Sequence, residues 1–162
     1  MTYDVKYLIV GDFYGPHVAN DLIREALHPY PDDLVIAPVV AVQNRFHLFD
    51  RDSEDVLTAC EEHGIAFVPY FPLAAGMLKP GLDTSQAPPG MAPTEEQQRT
   101  LDQVAGRHGA TRTQVALAWL PARSPVILAI PGTGSVAHLE ENVAAADLRL
   151  TESDIARLDE LA

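Results

Sequence analysis

The chain has 162 residues, 47% of them apolar and 21% charged, enough for one globular domain with a substantial core. Its 23 acidic residues against 11 basic ones leave a net charge of −12, which repels nucleic acid and anionic lipid and argues against both as partners. Cys60 is the only cysteine, so an internal disulfide is excluded, and no apolar run approaches the ~20 residues of a membrane span. With no secretory signal pattern either, the expected location is cytoplasmic. No metal site is expected.

Residues 5–10 read as a strand, followed by a turn over 11–16 that holds Gly11, Gly15 and Pro16. The spacing of Val18, Leu22 and Ala26 predicts a helix over 17–27, closed by Pro29, Pro31 and two aspartates. The apolar run LVIAPVVAV (34–42) reads as one strand kinked at Pro38. Two parallel strands would need a crossover of about a dozen residues between them. Asp52 is expected to cap a helix over 53–63 that stops at Gly64 and carries Cys60 on its apolar face. A strand follows over 65–71. Residues 74–93 form a long loop with four prolines and three glycines, a length that is commonly functional or disordered.

Thr94 with Gln97 has the capping-box spacing and opens a helix to about 108. Thr111 with Gln114 opens a second, expected to stop at Pro121. The run 126–130, VILAI, has the continuous apolar character of a buried parallel strand. Pro131, Gly132 and Gly134 then force a turn, Ser135 stands at a helix N-cap position, and Val136, Leu139 and Val143 share one stripe. Such a junction gathers unpaired N–H groups and the positive end of a helix dipole, which suits a phosphate. Thr151 caps a last helix with Ile155 and Leu158 facing inward. Strand–helix alternation, four times over, predicts an α/β fold with a parallel sheet.

The string PGTGSVAHLEEN (131–142) resembles the last strand–helix junction of the aldo/keto reductases, and the resemblance runs through most of the chain. DFYGPHVANDLIREALHPYPDDLVIA (12–37) looks like the family's second strand–helix unit and the strand after it. From Pro38 onward the chain resembles the last three units. The resemblance implies a single partial TIM-barrel domain over 1–162, with two non-adjacent parts of the barrel joined at 37/38. The first strand and a central block would be missing. A full barrel typically needs roughly 250 residues.

The family reduces carbonyls with NADPH, and the resemblance carries its site onto this chain position by position. Tyr14, in DFYG, falls on the general-acid tyrosine. Ile9 replaces the aspartate, Pro38 stands where the lysine should follow, and the histidine belongs to the absent block. His17, three residues after Tyr14, reads either as a substitute proton donor or as a polar turn residue. On the cofactor side, Gly132, Thr133, His138, Glu141 and Asn142 fall on the adenosine-phosphate positions, with His138 where many members carry arginine. Gln43 falls on the carboxamide glutamine and Tyr70 near the nicotinamide-stacking aromatic. Leu73 and Gly76 lie in the pyrophosphate loop.

A half-barrel of about four strands leaves open edges and an uncovered apolar interior, so a homodimer is expected, in which two copies could pair edges to close eight strands; the alternative is an open four-stranded sheet that flattens and covers itself with the 74–93 loop. Three functions compete. The first is a weakened NADPH-dependent oxidoreductase acting on a small carbonyl substrate. The second is a non-redox isomerase, dehydratase or cyclase using Tyr14, His17 or His47 as acid–base groups. The third is a non-catalytic remnant that binds NADPH or a partner.

Overall fold

The computed structural model describes residues 40–79, 81–82, 87 and 92–162, together with Glu25. The expected strand over 5–10, the helix over 17–27 except Glu25, most of the run 34–42, and Ile9, Tyr14, His17 and Pro38 lie outside the described residues. Apart from Glu25, everything described falls in one compact unit, Val39–Ala162.

Among the described residues the architecture is α/β with parallel strands. Strand β1 (Ala41–Val42) pairs in parallel with β2 (Ala66–Phe67), Ala41 opposite Ala66. The pairing continues beyond both short strands: Ala66 N–H donates to the Val40 carbonyl at 3.1 Å, and Tyr70 N–H to Asn44 at 3.0 Å. On the far side of β2, Phe67 donates to the Val126 carbonyl and accepts from Leu128 N–H, both at 2.8 Å. The strand expected over 126–130 is thus reduced to one parallel bridge at Ile127. Ile127 is buried, but Leu128 and Ile130 are 57% and 46% exposed. The reason is positional: among the described residues no strand pairs on their outer edge, so a run built for burial stands open.

Helix α1 (Glu54–His63) crosses from β1 to β2. Its cap is Ser53, one residue after the expected Asp52; with φ −100° and ψ 23° the residue is not in the extended cap conformation and its hydroxyl makes no helix bond, accepting instead from the Asn44 amide at 3.2 Å. Glu54 and Asp55 supply the acidic first turn instead. Gly64 ends the helix in the left-handed conformation, as expected, and Cys60 is buried, which pushes its thiol pKa up.

Helices α2 (Glu95–His108) and α3 (Arg112–Arg123) both open with complete capping boxes, Thr94/Gln97 and Thr111/Gln114. Pro121 does not stop α3. It sits inside the helix, and Ser124 N–H still reaches the Leu120 carbonyl at 3.2 Å. Six consecutive buried residues, Val115–Leu120, hold the helix in place despite the donor that Pro121 removes. Helix α4 (Val136–Ala144) is capped by the Ser135 side chain on His138 N–H. Its stripe of Val136, Leu139 and Val143 is not core: these residues are 74%, 53% and 65% exposed. Helix α5 (Glu152–Asp159) closes the unit with a Thr151/Asp154 box. Leu158 is fully buried as expected, and Ile155 is half-buried.

The core gathers on Trp119. Phe46 stacks on it at 5.8 Å between centroids and meets Phe67 edge-on at 5.6 Å. The indole N–H donates to Asp159 at 2.8 Å, while the Arg51 guanidinium lies 4.8 Å above the ring. Arg51 also donates to the carbonyls of Leu158 (2.8 Å) and Asp159 (2.7 Å), capping the end of α5. No described helix is long and apolar enough to cross a membrane, and the described residues contain no cluster of potential metal ligands.

Candidate functional site

A cleft of about 1160 Å³ opens where the segment after β2 and the starts of α3 and α4 meet. On one side the chain turns sharply after Tyr70. Phe71, Ala74 and Ala75 take positive φ angles of 57°, 48° and 53°, a region that costs side-chain-bearing residues about 1 kcal/mol or more each. This turn presents Phe71, Leu73, Ala75 and Gly76 to the cleft, with Lys79 beyond. On another side, residues 131–135 lead into α4. Ser135 spends its hydroxyl on His138 N–H and Thr133 Oγ1 accepts from Ser135 N–H at 3.1 Å. The first N–H groups of α4 and the exposed backbone of Gly132 and Gly134 remain for a ligand.

Seven of the nine cofactor positions named from sequence line this one cleft: Leu73, Gly76, Gly132, Thr133, His138, Glu141 and Asn142. They come from segments more than fifty residues apart. Gln43 and Tyr70 do not line it. Gln43 is exposed just past β1, and Tyr70 is half-buried beside Phe71, with ring centroids 5.5 Å apart. Tyr14 and His17 lie outside the described residues. His47 does not line this cleft and is 1% exposed. Its Nδ1 accepts from Phe49 N–H at 3.3 Å, and its pKa is lowered to about 4 by burial, with Asp50 opposing and Arg45 adding to the effect.

The third wall escaped the sequence reading. Asp102 and Gly106 of α2 and Thr111, Arg112 and Thr113 at the start of α3 all face the cleft. Arg112 is held by Asp102 through two bonds of 2.6 Å, Nε to Oδ1 and Nη2 to Oδ2, and Nη1 reaches Gln98 at 3.3 Å. This pairing holds Asp102 below the usual carboxylate range and pushes Arg112 up. Thr111 does two jobs: it caps α3 and donates its hydroxyl to the Glu141 carboxylate. Gln114 adds a bond to the Glu141 carbonyl at 3.2 Å, so the α3 and α4 walls are tied together. The signal was available, because a capped helix start at Thr111 raises the same anion-site question as the one at Ser135.

Known proteins resemble the chain in sequence and in fold. A family model described as the aldo/keto reductase family matches residues 23–162. An uncharacterized oxidoreductase of Schizosaccharomyces pombe is 46% identical over 124 residues, 76% of this chain and 35% of that protein. Pyridoxine 4-dehydrogenase of Escherichia coli is 30% identical over 249 aligned positions, taking in 96% of this chain and 81% of the enzyme. Among solved structures, a thermostable aldo-keto reductase in complex with the inhibitor epalrestat superposes with a TM-score of 0.67 at 32% identity, over 90% of this chain and 45% of that one. An aldo/keto reductase from Klebsiella pneumoniae in complex with NADP and acetate gives 0.58 at 34% identity, over 75% and 39%. The chain spans less than half the length of the fission-yeast relative and of both crystal structures. Family model, relatives and parallel α/β core agree: the chain belongs to the aldo/keto reductase family.

Proposed function

We propose that the cleft holds NADPH by its adenosine-phosphate end, and that the chain is a nicotinamide-dependent oxidoreductase whose carbonyl-reducing step is weakened. The observation that carries this reading is the convergence of residues 73–76 and 132–142 on one cleft, in a family whose solved members include complexes with NADP and NADPH. The residues present fit the nucleotide. The open α4 start and the glycine turn would take the 2′-phosphate, with His138 adding an imidazole. Glu141 and Asn142 would border the base, and the Leu73–Gly76 turn would cover the pyrophosphate. Bound NADPH would supply a hydride to a carbonyl carbon.

The proton side is poorer. Tyr14 is the one member of the family's catalytic set that the sequence retains. A phenol titrates near 10, and without the lysine that should follow Ala37 it is a weak acid at neutral pH. Loss of matched acid–base catalysis costs factors of about 10²–10⁴. An alignment to the E. coli enzyme that is longer than the chain itself requires gaps against the full-length fold, in keeping with a chain that joins non-adjacent barrel segments. Nucleotide binding that outlasts efficient turnover therefore follows from the same reading. The open strand edge and the exposed α4 stripe support the further proposal that a second copy completes the barrel. Sedimentation velocity at micromolar concentration tests it, and a monomer there refutes it.

The cofactor reading is tested by calorimetry and NADPH fluorescence on the wild type and on Thr133→Ala/His138→Ala. Saturable binding that the double variant loses supports it. No binding at millimolar NADPH overturns it.

A further inference from the structure

A second concavity, an apolar groove of about 490 Å³, lies between α3, the run 127–131 and the chain that leaves α4 through the 3-10 turn Ala145–Asp147. It shares only Pro131 and Asn142 with the cleft described above. Of the positions carried over from the family, only Asn142 borders it. Its volume falls in the range of roughly 300–1,000 Å³ that small-molecule pockets occupy. We propose that this groove binds a small amphipathic monocarboxylate, with its apolar body against α3 and its carboxylate on Arg149.

Arg149 carries the argument. Arg45, Arg51, Arg107, Arg112 and Arg123 each hold a carboxylate of this chain. Arg149, exposed at the rim of the groove, pairs with none among the described residues. Its Nη1 donates to the Ala146 carbonyl at 2.7 Å and to that of Leu148 at 3.5 Å, which tethers the guanidinium to the groove wall. Nε and Nη2, the side-on edge, have no partner among the described residues. Arg112 shows what that edge does in this same protein: its Nε and Nη2 grip the two oxygens of Asp102, both at 2.6 Å. Arg99 and Arg157 also lack a carboxylate partner among the described residues, but they line neither concavity.

The floor supplies the other half. Leu117, Ala118, Ile127 and Ala145 are buried and wholly apolar, and Ala129 stands exposed beside them. Apart from Arg149, only Asn142 offers a polar side chain. One guanidinium beside an apolar floor matches one negative charge on an apolar body. A phosphate would find a single cation and one amide, and an uncharged ligand would leave the Arg149 edge in water.

The test is ligand-observed NMR titration of the full chain at pH 7 with hexanoate, 1-hexanol and acetate as probes. Hexanoate is expected to bind saturably, 1-hexanol about ten-fold more weakly, and acetate not at all. Arg149→Gln is expected to weaken hexanoate by about ten-fold and to leave 1-hexanol unchanged. Ala122→Phe, at an exposed position on the groove wall, should weaken both by filling the site. Thermal melts of each variant check that the fold is intact. Thr133→Ala/His138→Ala should leave hexanoate binding as in the wild type, so the groove is tested apart from the nucleotide reading. Equal binding of 1-hexanol and hexanoate, or hexanoate binding untouched by Arg149→Gln, would leave an apolar groove without an anion site and overturn the proposal. So would the absence of saturable hexanoate binding, or binding that Ala122→Phe spares and NADPH displaces, which would put the ligand in the other cleft.

Discussion

Helices α3 and α4 start alike and end up in opposite circumstances. Each is opened by a hydroxyl cap, and each lines the cleft with its first turn. Yet α3 buries every residue from Val115 to Leu120, whereas α4 buries none of its nine. The difference lies in the neighbours. Helix α3 has α2, α5, α4 and the 3-10 turn Ala145–Asp147 around it, with Phe46 stacked on its Trp119, while α4 rests only on α3 and that 3-10 turn among the described elements. An apolar stripe shows that a face calls for cover; it does not show that the cover lies within the same 162 residues.

The sharpest way to press this contrast is to truncate one large apolar residue in each region. Trp119→Ala should cost about 3–5 kcal/mol, read from urea midpoints by circular dichroism, because it empties a fully buried site and removes the ring under Arg51 and the donor to Asp159. A loss under 1 kcal/mol would mean that the two regions are less different than burial makes them.

Next in size is the ion cluster that joins α2 to α5. Asp154 is buried with Arg107, His108 and Thr151 around it. Burial alone pushes its carboxyl up, but the bonds from His108, Thr151 and Arg107 outweigh that and hold it well below the usual carboxylate range. Asp154→Asn should cost about 2 kcal/mol at pH 7. Since the folded value is depressed, the contribution is present above the unfolded value of 3.8 and is lost as pH falls below it. His47 acts earlier. With a folded pKa of about 4 against 6.5 unfolded, it erodes stability as pH drops from 6.5 toward 4, because the unfolded chain takes up the proton first. Urea midpoints of wild type, Asp154→Asn and His47→Gln from pH 7 to 3 should separate the two windows.

Two glycines provide a smaller and opposite-signed pair. Gly106 lies in the interior of α2 with open space where a Cβ would go, so Gly106→Ala should add about 0.5–1 kcal/mol. Gly109, equally unobstructed, caps the same helix at φ +58°, and Gly109→Ala should cost about 1 kcal/mol. Thermal melts of both variants decide it. Smallest of all, Leu139→Ser on the open face of α4 should change stability by no more than about 0.5 kcal/mol in the monomer.

What the sequence made legible follows from how local each device is. The caps at Thr94, Thr111 and Thr151 and the glycine stop at Gly64 need only a few neighbouring residues, and all are present. The cap lies at Ser53, one residue past Asp52, because no side chain caps this helix at all and the Ser53 hydroxyl instead meets Asn44, nine positions away. Pro121 was overestimated as a stop because burial of α3 is a tertiary matter. In the cleft, residues 132–142 were found through a local turn and a recognisable string. Arg112 and Asp102 were missed, since ten residues and a helix–helix corner separate the pair. The buried state of His47 was equally invisible, being set by the Phe46–Phe67–Trp119 cluster around the strand ends and by its bridge to Asp50.

Gln97 has a consequence beyond its role as a cap. Its side-chain oxygen accepts from Thr94 N–H at 2.7 Å while its amide donates to the Leu161 carbonyl at 2.5 Å. The first turn of α2 therefore cannot fray without letting go of the chain just past α5. In hydrogen–deuterium exchange the amides of 97–98 and those of 158–161 should open as one cooperative unit, with a shared opening rate, although Gln97 and Leu161 are 64 positions apart.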